Sequence, residues 1–146
     1  IGLLESCNLS VGRGTDTPFE VIGAPWIEER PLAARLNGLD LPGIRFVPYR
    51  FTPDASKFKG QSCGGVQMIL TDRDAYQPVQ TGLSIARELK NLFGEEFQID
   101  RVDNLLFNKA ILSEVKASTA PRDYRPLWAD SLREFEKRRA AFLIYK

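Results

Sequence analysis

Six side chains capable of polar chemistry crowd the first part of the chain: Glu5, Asn8, Ser10, Arg13, Thr15 and Glu20. Two carboxylates, an amide, two hydroxyls and a guanidinium together suit a ligand that carries both hydroxyls and a carboxylate. Arg13 is the most specific of them, because its planar fork of donors matches a carboxylate with two parallel hydrogen bonds. It stands between Gly12 and Gly14, residues that let the backbone turn and aim an intervening side chain. Turn chemistry is a competing explanation for Asn8, Ser10 and Thr15 taken singly, since such residues satisfy loop backbone. The cluster as a whole favours a ligand. Gly12-Arg13-Gly14-Thr15 also admits a phosphate-loop reading, but it lacks the spacing of a Walker loop, and two glycines alone are a weak signal.

Aromatic residues and one lysine extend the candidate set. Trp26 follows Pro25, and Tyr49 and Phe58 flank the polar stretch at 52–65. Aromatic rings stack on the apolar faces of sugars, so Trp26 is a candidate for that role, with a place in the core as the alternative. Lys57 could meet a ligand carboxylate or simply remain solvated.

Bulk properties remove whole classes of function. The 146 residues suit one domain, and 43% hydrophobic with 27% charged residues is ordinary for a globular chain. A net charge of +1 gives no pull towards nucleic acid or anionic membrane. No apolar run approaches a transmembrane length. The absence of histidine removes His-based triads and most catalytic zinc sites, so neither metal nor cofactor is expected. Cys7 and Cys63 match no zinc spacing. They are either two buried thiols or, in an exported protein, a disulfide. The apolar start at Ile1, without a signal-peptide layout, reads as the middle of a strand in a longer protein.

These groups need a scaffold, and hydrophobic spacing supplies its outline. Residues 5–27 read as a long irregular segment that follows the opening strand at 1–4. Strands are expected at Ile44–Phe51, where Pro48 argues for an edge, and at 66–71. Helices are expected at 28–36, stopped by Asn37-Gly38, and at Pro78–Phe93, with Pro78 in the first turn and Gly94 as the cap. Val79, Leu83, Ala86, Leu89 and Phe93 give the second helix its apolar face. Residues 97–102 read as extended and 103–115 as a helix burying Leu105, Leu106, Ile111 and Leu112. A last helix over 128–142 turns Leu132, Phe135 and Phe142 inward. Its basic run, Lys137-Arg138-Arg139, is better explained by a solvated face at the negative helix end than by nucleic acid. The expected fold is α/β (α+β), a small mixed sheet with three to four helices packed against it.

The same stretches carry a family resemblance. Glu5, Asn8-Leu9-Ser10, Gly12-Arg13-Gly14-Thr15, Pro18-Phe19-Glu20 and Gly23-Ala24-Pro25-Trp26 resemble the opening signature of the C-terminal part of exo-β-N-acetylmuramidases of the NamZ-like family. The run from Ser56 to Val66, followed by Thr71-Asp72, resembles the second signature. Asn108-Lys109, Trp128, Phe135, Arg138-Arg139 and Tyr145 fit its ending, so the resemblance spans the chain.

The resemblance implies a secreted or periplasmic bacterial hydrolase that releases N-acetylmuramic acid from the non-reducing ends of peptidoglycan fragments. It implies that residues 1–146 are a single C-terminal α/β domain. An N-terminal Rossmann-like domain, bearing the principal catalytic glutamate, would lie upstream, with the site in the cleft between the two. The expected partners are a peptidoglycan-derived sugar and the chain's own N-terminal domain. Glu5 and Glu20 would then be supporting carboxylates, as glycosidic cleavage needs an acid and usually a second carboxylate. Arg13, ahead of Lys57, would read the lactyl carboxylate, Trp26 would stack on the sugar, and Asn8, Ser10 and Thr15 would complete the binding set. The competing functional class is a non-catalytic glycan- or protein-binding module of the cell envelope.

Overall fold

A computed structural model describes residues 1–145. Three strands, β1 (Val21–Ala24), β2 (Ile44–Phe51) and β3 (Cys63–Leu70), form an antiparallel sheet in the order β1-β3-β2. Among the described residues there are five α-helices: α1 (Glu29–Asn37), α2 (Pro78–Phe93), the single turn α3 (Asp103–Leu106), α4 (Lys109–Ala117) and α5 (Ala129–Ala140). The expected α/β fold around a small sheet is therefore present, with both strand pairs antiparallel and five described helices in place of three to four. None of the described helices is long and apolar enough to cross a membrane.

The sequence explains the best-formed elements. β2 lies at a sheet edge, where Pro48 removes no interior ladder bond. Its inward residues Ile44 and Phe46 join Val66 and Met68 of β3 and Ile22 of β1 in the core. α1 lies across β2 and β3. Its last residue, Asn37, donates to the Phe46 carbonyl at 2.7 Å and accepts from the Phe46 N–H at 3.0 Å, fixing the helix end to the sheet. α2 packs against α1 and α4 and is buried from Gln80 to Leu89. Gly94 caps α2 with φ 52°. Three glycines let the sheet close up. A Cβ on Gly65 would fall on the Ile22 carbonyl, one on Gly64 on the Ile27 carbonyl, and one on Gly23 on the Phe51 ring.

Several expectations are corrected. Gly2–Leu4 is a 3-10 turn and not a strand, and the first strand, β1, instead lies inside the segment read as irregular. Ile1 and Leu3 pack on the core and Leu4 is fully buried, so the apolar start serves burial without pairing. Of residues 97–102, Phe97 is extended, but Ile99–Val102 forms a 3-10 turn. The helix expected over 103–115 is broken at Phe107, which takes φ 50°, and Asn108 caps the second piece by accepting from the Ile111 N–H. Leu105, expected to be buried, is exposed. Leu132, Phe135 and Phe142 do not face inward, and no residue of α5 is buried.

Cys7 and Cys63 are free thiols, both fully buried. Cys7 belongs to the main core, whereas Cys63 packs in a smaller cluster with Val21 and Phe51. Burial pushes the Cys7 thiol up from 9.0 to about 11. At pH 8 that shift alone lowers the reactive thiolate about 100-fold. Alkylation of native Cys7 by iodoacetamide, followed by mass spectrometry, should thus be at least about 100-fold slower than in denaturant. Comparable rates in the two states would show that Cys7 is reachable from solvent.

Candidate functional site

Residues 5–20 are shaped by alternation and by two left-handed glycines. Cys7, Leu9 and Val11 point into the core, and Ser10 bridges Gly23, exchanging backbone hydrogen bonds of 2.8 and 3.0 Å. This extends the sheet by one residue pair alongside β1. The chain then leaves the sheet. Gly12 and Gly14 take φ 80° and 82° and throw Arg13 outward between them. Thr15 holds the turn, its hydroxyl donating to the Gly12 carbonyl at 2.7 Å and accepting from the Thr17 N–H at 3.2 Å. Phe19, also at positive φ, closes the loop by donating its N–H to the Val11 carbonyl.

A second loop, residues 52–62, meets the first. The Asp54 N–H donates to the Gly14 carbonyl at 2.8 Å. Gly14 must be glycine here, as a Cβ would lie against the backbone of Ala55. Ser56 and Phe58 both take positive φ and flank Lys57. The Lys57 ammonium donates to the carbonyls of Glu5 and Cys7 at 2.5 and 2.6 Å. It thereby caps the end of the opening 3-10 turn. Burial lowers its pKa from the usual lysine value.

The two loops enclose a cleft of about 110 Å³ lined by Glu5, Leu9, Ser10, Val11, Arg13, Ser56 and Lys57. Sites that bury a whole small molecule usually hold about 300–1,000 Å³. This one has room for a single functional group. In its lining Arg13 donates from Nε (3.1 Å) and Nη2 (2.6 Å) to Glu5 Oε1. The guanidinium also lies 4.8 Å from the centroid of the Phe19 ring. The ion pair is 53% and 38% exposed at its two side chains, so it contributes roughly 0–1 kcal/mol. Its importance is geometric. Glu5 and Phe19 hold one edge and one face of the guanidinium, while Nη1 has no hydrogen-bond partner among the described residues. That open edge can accept a carboxylate from solvent.

Of the eight side chains singled out from the sequence, Glu5, Ser10, Arg13 and Lys57 line this cleft. The other four lie elsewhere. Asn8 donates to the Glu96 carbonyl at 2.7 Å and accepts from the Gln98 N–H at 2.9 Å, tying the segment to residues 94–98. Thr15 serves its own turn. Trp26 packs edge-on to Phe93, ring centroids 5.5 Å apart, and against Phe97. Glu20 is exposed, and its backbone carbonyl accepts from Met68 in the ladder. Phe19 and Ser56 were not singled out as site residues. Phe19 offered a faint signal, as an aromatic in a polar run just beyond Arg13. Among the described residues no three His, Cys, Asp or Glu side chains gather to hold a metal.

Comparison with known proteins gives this geometry a context. The family described as "Exo-beta-N-acetylmuramidase NamZ, C-terminal" matches residues 1–145. The chain belongs to the NamZ C-terminal family. The peptidoglycan β-N-acetylmuramidase NamZ of Bacillus subtilis (strain 168) is 40% identical over 147 aligned residues, covering 99% of this chain. The 1.65 Å crystal structure of a DUF1343 family protein from Bacteroides fragilis NCTC 9343 superposes with a TM-score of 0.85 at 25% identity, covering 99% of this chain. A second DUF1343 family structure from that organism, at 19% identity and a TM-score of 0.69, shares the fold. The chain spans 36% of the Bacillus protein and 40% and 38% of the two Bacteroides chains. The NamZ C-terminal domain is thus the smaller part of these longer relatives.

Proposed function

We propose that this domain forms one wall of the substrate cleft of an exo-β-N-acetylmuramidase, and that its Arg13 reads the lactyl carboxylate of N-acetylmuramic acid. The observation that carries the reading is the half-held guanidinium of Arg13, whose Nη1 has no partner among the described residues, in the lining of a cleft too small for a sugar. A cleft of that size can take the carboxylate while the ring lies outside it, against a second wall. That wall, with the principal catalytic glutamate, belongs to a Rossmann-like domain upstream. The name of the Bacillus relative supports the substrate class. Glu5 orients Arg13 and is near enough to the mouth to act on substrate or water. The full-length enzyme works in the bacterial cell envelope, secreted or periplasmic, because its polymer lies there.

The test is Arg13→Ala in the full-length protein. One charge-assisted hydrogen bond contributes about 1.5–3 kcal/mol, so kcat/KM on substrates ending in N-acetylmuramic acid should fall roughly 10- to 150-fold. Turnover of an analogue that lacks the lactyl group should change less than about threefold, since no carboxylate is lost. The melting temperature should barely move, because the pair is exposed. Unchanged kcat/KM on the natural terminus would remove Arg13 from the site.

A further inference from the structure

The last helix carries apolar side chains that its own domain leaves about half exposed. Leu132 and Phe135 stand three apart in α5, which puts them on one face, and Trp128 precedes the helix as its N-cap. Trp128 packs against the core, but Leu132 is 44% and Phe135 49% exposed. The main neighbour of α5 is its own preceding turn, Arg125–Leu127. Beyond the helix, Phe142, Ile144 and Tyr145 are exposed as well. A helix of 12 residues is marginal in water without packing. The surface pairs Arg133–Asp130 and Lys137–Glu134 add little to it. Apolar side chains in this density mark a contact surface.

We propose that α5 docks on the portion of the polypeptide that precedes this domain in the longer relatives. Leu132 and Phe135 enter an apolar groove there, and carboxylates on its rim meet Arg138 and Arg139. Two observations select that occupant. The matches to the Bacillus and Bacteroides proteins cover 99% of this chain, so they take in the helix, yet 60% or more of each relative lies outside the match. Arg133 and Lys137 pair within the helix, whereas Arg138 and Arg139 have no carboxylate partner among the described residues. An acidic rim supplies what they lack. The inference rests on the reading of this chain as one part of a longer enzyme, but not on that enzyme's substrate.

The experiment uses the full-length protein. Backbone amides of 129–140 should exchange at least about 100-fold more slowly than in a free peptide, at every protein concentration. The double substitution Leu132→Asp, Phe135→Asp should remove that protection. Phe135→p-benzoylphenylalanine, photolysed, should cross-link to peptides upstream of residue 1. Unprotected amides in the wild type would overturn the proposal. So would cross-links confined to residues 1–127, or protection lost on dilution as a dimer dissociates, which would assign the face to a second copy. A protected, cross-linked helix in a protein inactive on muramic acid substrates would sink the muramidase reading and leave this one standing.

Discussion

Arg87→Ala is expected to destabilise the domain by about 3–5 kcal/mol, the range for breaking a buried ion pair from one side. Arg87 and Glu88 are both fully buried within α2. Arg87 donates through Nε and Nη2 to Glu88 Oε1, and through Nη1 to the Ala120 carbonyl at 3.0 Å. Glu88 Oε2 accepts from Arg35 Nε at 2.7 Å. The pair therefore ties α1, α2 and the segment after α4 into one network. Removing the guanidinium leaves a buried carboxylate with only the half-exposed Arg35, a carbonyl without its donor, and a void. The same logic predicts strong non-additivity. The double variant Arg87→Met, Glu88→Leu should cost far less than the sum of the single changes, because no buried charge is left uncompensated and the half-exposed Arg35 is solvated. Denaturant unfolding at pH 7 measures both. A loss below about 1 kcal/mol for Arg87→Ala would mean that the network is dispensable.

That network also shows where sequence reading stops. The apolar period of α2 is legible because Leu83, Ala86, Leu89 and Phe93 recur at helical spacing, although Val79, expected on the same face, is exposed in the first turn; β2 is legible because its apolar residues are bounded by turn signals. Gln80, Arg87 and Glu88 look like a solvated face in the same sequence. They are buried because a second layer, residues 120–124, covers them. Gln80 donates to the Arg122 carbonyl and accepts from the Tyr124 N–H, so long-range partners decide its role. Short apolar runs are ambiguous for a related reason. Ile1 to Leu4 and Val21 to Ala24 are both four residues long and mostly apolar. Only the second meets a strand, β3, whose paired glycines allow close approach. For α5 the pattern of apolar residues was read as facing the core, and the domain does not cover that face.

The candidate site divides along the same line. The chemistry of Glu5, Ser10 and Arg13 was visible in one segment, and their meeting in one cleft follows from the turn that Gly12 and Gly14 permit. Lys57 comes from a loop about fifty residues on, and sequence shows only that a cation is available there. Its engagement with the Glu5 and Cys7 carbonyls depends on two positive-φ residues, Ser56 and Phe58, that no pattern announces. Asn8 and Trp26 are near in sequence but turn to the opposite side, towards residues 93–98. Nearness along a loop is a poor guide to which side chains share a face when the backbone reverses within it.

Gly14→Ala joins fold to function most directly. At φ 82° a Cβ costs roughly 1–2 kcal/mol for the backbone conformation. The Cβ would also meet the Ala55 backbone and the Asp54 carboxylate, a clash of the kind that costs about 1–3 kcal/mol where the surroundings must shift. Backbone on backbone leaves no flexible side chain to yield. The loop at 53–60 must move away from the turn, and the hydrogen bond from Asp54 to the Gly14 carbonyl lengthens. Arg13 is retained chemically, but its position against Glu5 and Phe19 is not. In the full-length protein, kcat/KM on muramic acid termini should then fall by at least the roughly 10-fold expected for deleting Arg13, because displacement by about 1 Å already disrupts a productive geometry. Adding Arg13→Ala to Gly14→Ala should bring little further loss, the mark of two changes acting through one group. If Gly14→Ala lowered stability as expected but left turnover intact, the turn would serve the fold alone, and the guanidinium it carries would have no part in reading the substrate.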